Sequence, residues 1–306
     1  IKIRISDREI DIRVSTVPVV YGERVVMRLL DRSGELLSLE DLGFDANTLK
    51  TFEGLITRPN GILLVTGPTG SGKTTTLYGA LTRINTGDRN IMTAEDPVEY
   101  QLSGINQIQI ASKIDLTFAG ALRAMLRQDP DVIMVGEIRD RETAEIAVQA
   151  SLTGHFVFST LHTNDAPSAV TRIMDMSVEP YLIASTVVGV LAQRLVRTLC
   201  PACRRTYVNG RDWYERLGLK PDTPLYRSQG CEQCLGTGYR GRVGVYELLT
   251  VDRSMREMIV SRSHAEQLRE QAVKGGMTSM YQDGLRKALE GMTTIDEVLR
   301  VTQRDG

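Results

Sequence analysis

Residues 61–78 read GILLVTGPTGSGKTTTLY. An apolar run, a glycine-rich turn and the first turns of an amphipathic helix follow one another without a break. That order leaves little freedom. A continuous apolar strand needs cover on both faces. A turn that passes straight into a helix leaves backbone N–H groups pointing out of the helix start. Gly67-Pro68-Thr69-Gly70-Ser71-Gly72-Lys73-Thr74 fits the pattern G-x-x-x-x-G-K-[ST] in its required strand–loop–helix setting. The glycines let N–H groups curl round a phosphate, and the helix N-terminus adds a favourable partial charge. The expected cradle runs from Gly67 to Thr75. Lys73 is placed to reach β- and γ-phosphates, and Thr74 to hold Mg²⁺, so the ligand expected is ATP with magnesium.

The same logic extends along the chain. "GILLVTG", "RNIMTAED", "DVIMVGE" and "HFVFSTL" are short apolar runs separated by helical patterns such as "LTFAGALRAMLRQ" and "RETAEIAVQASL". Strands alternating with helices predict an α/β fold with a mostly parallel sheet. A long helix is expected from about Pro180 to Leu199, leading into a cysteine-bearing loop. "GRVGVYELL" reads as a further strand, and the tail, residues 252–306, as helical. Residues 1–31 alternate as strands: Ile10, Ile12 and Val14 share one face, and Asp11, Arg13 and Ser15 the other. They read as the end of a β-rich domain whose beginning is missing. Residues 32–44 read as a linker, and Asp45 as the cap of a helix that opens the main domain, 45–306.

In open α/β sheets, ligands bind beyond the carboxyl ends of the strands. Two acidic groups stand there. Glu95 and Glu99 follow "NIM", and Glu137 follows "DVIMV". Each is a candidate to organise water, and Glu137 also to anchor magnesium. Two of the three histidines flank the strand "FVFSTL". His155 begins it and His162 follows it, about 20 Å away if the strand is extended. Only His162 is expected near the phosphates, where it can sense the γ-phosphate. For His155, action at another surface and a satisfied hydrogen-bonding role both stay open. Arg123 and Arg127 are four apart on one helix face. Arg28 shares a strand face with Val26 and Leu30, an expensive place for an unpaired charge. Arginine commonly stabilises a transferring phosphoryl group, but for each of these a surface ion pair is what the sequence alone favours.

Cys200-Pro-Ala-Cys203 and Cys231-Glu-Gln-Cys234 form two CxxC pairs, within residues 199–238. Two such pairs complete a tetrahedral Cys₄ zinc site, and four thiolates close it to catalysis. Four cysteines so arranged suit a reducing compartment better than a disulfide framework. Lys+Arg total 37 and Asp+Glu 38, a net charge of -1, which gives no global pull toward nucleic acid. No apolar run approaches the roughly 20 residues of a membrane span. The chain opens without Met and reads as a fragment.

Taken together these motifs resemble the secretion ATPase superfamily, RecA-like motors of type II secretion and type IV pilus systems. "GPTGSGKTTTLY" resembles its Walker A box, "MTAEDPVEY" its Asp box, "RQDPDVIMVGEIRD" its Walker B region and "TGHFVFSTLHTNDA" its His box. "CPAC…CEQC…GYRGRVGVYELL" resembles its zinc-binding insertion. The tetracysteine insertion and "IRVSTVPVVYGERVVMRLLD" make the chain most similar to the type II secretion ATPases of the general secretory pathway protein E family. Pilus assembly ATPases are the alternative. The resemblance implies a cytoplasmic ATP hydrolase working as a homo-hexamer at the inner-membrane face and powering pseudopilus assembly. It implies inner-membrane platform proteins as partners, although the region that docks on them is not in this chain. It also implies that Arg13, Arg28, Arg123 and Arg127 surround the nucleotide. Two other classes fit the sequence less well. A nucleic-acid motor lacks the basic, aromatic-rich stretch it would need, and a nucleotide-gated scaffold would not need acids at both strand ends.

Overall fold

The computed structural model describes residues 2–5, 8–31, 37–207, 217–220 and 223–302. Its centre is a seven-stranded sheet in the order β12-β9-β4-β8-β7-β5-β6. These strands are β4 (Gly61–Thr66), β5 (Ile91–Glu95), β6 (Asn106–Gln109), β7 (Val132–Val135), β8 (Phe156–Leu161), β9 (Val187–Leu199) and β12 (Tyr239–Thr250). All neighbours pair in parallel except β12, which runs antiparallel to β9.

Alternation within each strand sends its side chains to two different cores. Ile62, Leu64, Ile133, Val135 and Val157 enter one cluster. Leu63, Val65, Val132, Met134, Phe156 and Phe158 enter the other. The first is covered by α3 (Phe118–Met125), α4 (Arg141–Leu152), α5 (Ala166–Asp175) and α6 (Pro180–Thr186). The second is covered by α1 (Ala46–Ile56) and α2 (Lys73–Ile84). Cover on both faces is why these strands read as unbroken apolar runs.

The structure corrects one expected element. The segment from Pro180 to Leu199 is not one helix: α6 stops at Thr186 and β9 continues to Leu199. Residues 187–192 are all buried, so no polar stripe marks a helix face. Val187, Val188, Val190 and Val196 suit the pleat of a sheet. Strand β6 is a further element that the sequence reading did not identify.

Asp45 caps α1 as expected, accepting from the N–H groups of Asn47 and Thr48 at 3.0 Å each. Of the expected linker, residues 32–36 lie outside the described residues. Leu39 and Leu42 are buried in the second core, and the Tyr246 hydroxyl donates to Leu42 O. The tail forms α7 (Arg253–Val260), α8 (Ala265–Lys274), α9 (Met280–Leu289) and α10 (Ile295–Val301). A buried ion pair fastens α9 to the sheet. Asp283 holds Lys287, Lys287 Nζ donates to Gly244 O at 2.6 Å, and Asp283 accepts the N–H of Tyr246 at 2.9 Å. Every charge in it is paired, the condition for keeping charge inside a fold.

At the start of the chain β1 (Lys2–Ile5), β2 (Arg8–Val19) and β3 (Gly22–Asp31) form an antiparallel sheet. Its register sets Arg13 directly opposite Arg28. Val26 is 53% exposed, and Val25, Met27 and Leu29 are exposed too. The burial cost anticipated for Arg28 is therefore absent. Two short strands, β10 (Arg205–Tyr207) and β11 (Leu225–Arg227), pair beside the cysteines. Among the described residues no helix is long and apolar enough to cross a membrane.

Candidate active site

The parallel strands β4, β5, β7 and β8 bring four carboxyl ends to one edge of the sheet. β4 delivers the glycine loop, β5 ends on Glu95, β7 leads to Glu137 and β8 to His162. Gly67 leaves β4 with φ +146°, and a Cβ on it would meet Gln193 O at 2.4 Å. No side chain fits there. Helix α2 begins at Lys73 on Gly72, without a side-chain cap, so its first N–H groups face the loop's hollow. Lys73 Nζ donates to Gly67 O at 2.7 Å and to Pro68 O at 3.1 Å. Burial lowers the Lys73 pKa, and the negative charge of Glu137 works against that shift.

One cavity is lined by Thr69 through Thr75, by Glu95, Asp96 and Glu99, by Glu137 and Arg139, by His162, and by Arg28 and Arg242. It gathers most of the residues expected from sequence. Glu137 is half-buried and forms an ion pair with Arg139. Its other oxygen lies 3.5 Å from His162 Nε2. His162 is held by its own strand end: Thr163 N donates to Thr66 Oγ1 at 2.9 Å, tying the histidine turn to the last residue before the glycine loop.

Glu95 is placed differently from its neighbours. It is 3% exposed, and three donors occupy its carboxylate: the Tyr78 hydroxyl, Thr93 Oγ1 at 2.6 Å and Gln107 Nε2 at 3.1 Å. Burial and that bond push the Tyr78 hydroxyl's pKa up. A carboxylate so engaged has few lone pairs left to orient a water. Glu99 is half-buried on the cavity wall, its backbone N–H donating to the Tyr78 hydroxyl.

The structure does not bring Arg123 or Arg127 to this cavity. Arg123 is exposed and pairs with Glu142 at 2.6 Å. Arg127 lies beyond the end of α3 and donates to Arg123 O at 2.8 Å. The helix that would have set them on one face ends before Arg127, and both side chains face solvent. The side chain of Arg13 lies outside the described residues. His155 is a hydrogen-bonding residue at the end of α4, its Nδ1 2.9 Å from Ala150 O and 3.1 Å from Thr153 Oγ1. Arg139, Arg242 and Gln193 were not singled out from sequence. Arg139 stands two residues after Glu137, a signal within reach. Arg242 and Gln193 arrive through the pairing of β9 with β12, which no local pattern discloses.

Away from this cavity, Cys200, Cys203, Cys231 and Cys234 place their sulfurs within 4.8 Å of one another. The sulfurs lie 3.9 Å apart in Cys200–Cys231, 3.8 Å in Cys203–Cys234 and 3.7 Å in Cys231–Cys234. A tetrahedral ion with Zn–S bonds of about 2.3 Å sets its sulfurs about 3.8 Å apart. The cluster fits zinc. Burial raises the pKa of the Cys234 thiol, but backbone N–H groups of Cys231 and Gly238, at 3.2 and 3.1 Å, overcome it and bring it below the usual thiol range. Such donors also orient a metal-bound sulfur.

A glycine cradle with its lysine, an acid and a histidine on the carboxyl edge of a parallel sheet define the class of P-loop nucleotide-binding α/β proteins. The chain belongs to the type II/IV secretion system protein family, whose profile matches residues 1–300. It is 56% identical to type II secretion system protein E of Pseudomonas aeruginosa, over 100% of this chain and 61% of that protein. It is 54% identical to type II secretion system ATPase E of Vibrio cholerae, over 99% of this chain and 60% of that one. The type IV pilus assembly ATPase PilB of Myxococcus xanthus is 50% identical, over 100% of this chain and 55% of PilB. The chain thus spans about three fifths of the length of its type II secretion relatives. Among solved structures, the pilus retraction motor PilT with bound ADP aligns at TM-score 0.69 and 29% identity, covering 96% of this chain and 78% of PilT. The Legionella pneumophila ATPase DotB shares the fold at TM-score 0.71 and 21% identity, over 98% of this chain and 75% of DotB.

Proposed function

We propose that this chain is the motor part of a type II secretion ATPase, hydrolysing ATP to drive pseudopilus assembly for protein export. The observation that carries the reading is the convergence of Lys73, Glu137 and His162 on one cavity at the end of four parallel strands. Thr74 and Glu137 are the residues to hold magnesium, a hydroxyl and a carboxylate on that cavity's wall. The bound ion would supply neutralisation of phosphate charge. Lys73 holds the β- and γ-phosphates, Glu137 orients water, and His162 reads the γ-phosphate through its position beside Glu137. Glu99 assists Glu137, and Glu95 braces Tyr78 beneath them. Arg28 reaches the cavity within its own chain and balances phosphate charge, with Arg139 and Arg242 at the rim. The protein acts as a homo-hexamer on the cytoplasmic side of the inner membrane, against platform proteins. The domain division proposed is 1–31, 32–44 and 45–306, with the zinc subdomain at 199–238 and a helical tail at 252–306. A second reading, a pilus assembly ATPase, is favoured by the 50% identity to PilB along the whole chain.

Phosphate release from Mg-ATP, followed against protein concentration, tests the proposal. Specific activity should rise with concentration as the proposed homo-hexamer assembles. No release at any concentration, with or without the membrane platform, would leave a nucleotide-gated scaffold.

Zinc gives a separate expectation. Metal analysis should find a single zinc ion per chain, and chelation should expose Cys200, Cys203, Cys231 and Cys234 to a thiol reagent. The α/β core should stay folded, because its two clusters do not include the cysteines. Four reactive thiols in the protein as purified would contradict a bound ion.

A further inference from the structure

We propose that Gln193 is a positioning residue for the phosphate cradle, turning the Gly72 N–H toward the phosphates by holding the Ser71 carbonyl. This rests on the reading of the glycine loop as a nucleotide site. Strand β9 runs parallel to β4, and their last paired residues are Thr66 and Ala192. Gln193 is therefore the first β9 residue beyond the end of β4, level with the loop. It touches that loop at three places. A Cβ on Gly67 would meet Gln193 O at 2.4 Å, and one on Gly72 would meet Gln193 Nε2 at 3.2 Å. Between them, Nε2 donates to Ser71 O at 2.7 Å.

That bond has a directional consequence. In a trans peptide the C=O and the following N–H point to opposite sides. With Ser71 O turned to Gln193, the N–H of Gly72 points away from β9. Gly72 lines the cavity and precedes the first residue of α2. A cradle amide is aimed by a side chain from another strand.

The glutamine is an odd choice for packing alone. It is 1% exposed, and its Oε1 is buried without a hydrogen-bond partner among the described residues. An unpaired buried acceptor works against stability. A methionine of the same length would fill the space but leave Ser71 O without its donor. The donor, rather than the volume, is what the loop uses.

The test compares Gln193→Met and Gln193→Glu with the parent chain. The readouts are mant-ADP titration, steady-state ATP hydrolysis and the thermal midpoint without nucleotide. Gln193→Met removes the orphan Oε1 and leaves Ser71 O as an orphan in its place, at the loss of one hydrogen bond, so its midpoint should stay within about 5 °C of the parent. ADP affinity should fall about tenfold, equivalent to about 1.4 kcal/mol. KM for ATP should rise by a similar factor while kcat changes less than about threefold, since the amide serves bound substrate and transition state alike. Gln193→Glu should bind ADP more weakly still, because a carboxylate would face the Ser71 carbonyl. A Gln193→Met chain with ADP affinity within about twofold of the parent overturns the inference. So does a collapse in midpoint with affinity intact in the folded fraction or in Gln193→Glu. Failure of the underlying reading looks different: the parent itself would not bind ADP, or a Lys73→Ala chain would bind it as tightly as the parent.

Discussion

A Lys73→Ala chain should lose ATP turnover by at least about 100-fold in kcat/KM, the range seen when one preorganised charge donor is removed from a reacting centre. Its ADP affinity should fall as well, because the role proposed for Lys73 includes the β-phosphate and not only the γ. The geometry explains why so much rests on one side chain. Gly67 O and Pro68 O already hold the ammonium over the loop. Burial works against its charge, and Glu137 is the group that works for it. An incoming phosphate adds a second anion, so binding strengthens the charged form that it needs. Lys73→Arg should not rescue, since a planar fork cannot sit on the two carbonyls as a compact ammonium does. Phosphate release and mant-ADP titration check both parts. Turnover within about threefold of the parent would remove the lysine from the site.

Glu137→Gln should separate binding from hydrolysis. The amide keeps the shape and loses the charge, so ATP should still bind while kcat falls by about 10²–10⁴, the usual span for a positioned acid–base group. Glu137 is singled out over Glu95 by hydrogen bonding. Glu95 is filled by Tyr78, Thr93 and Gln107, whereas Glu137 has one oxygen on Arg139 and the other facing His162. Single-turnover kinetics with pre-bound ATP isolate the step. Normal turnover by Glu137→Gln would move the role to Glu99, the remaining acid of the pair expected after β5.

Much of this site could be read in the sequence because one rule does the placing. Strands that are apolar on both faces lie in parallel, and residues just past their ends meet at one edge. Glu137 and His162 stand just past such strands, and Lys73 follows one across the glycine loop, so local pattern was enough. The same rule separated His162 from His155 at the opposite end of β8. What failed to show was set by longer-range geometry. Residues 187–192 are buried throughout, and burial on all sides erases the periodicity that tells strand from helix. Pro180 then suggested a helix that does begin, but ends at Thr186. Losing β9 as a strand also hid Gln193, and with it Arg242, which β9 positions through Arg197. Arg123 shows the opposite limit. Helical spacing identifies the residues that share a face, but not what the face meets.

Strand β9 also has a mechanical meaning. It begins beside α6, passes the glycine loop at Gln193 and ends at Leu199, next to the first cysteine of the metal cluster. A strand rises about 3.3 Å per residue, close to the longest reach a peptide has. Such a segment bends but does not stretch. Leu199 N is moored to Met292 O at 2.8 Å and Cys200 N to Gly238 O at 3.0 Å, so the far end is anchored as well. The cysteine cluster and the glycine loop are therefore joined by one extended segment of β9, with little slack between them.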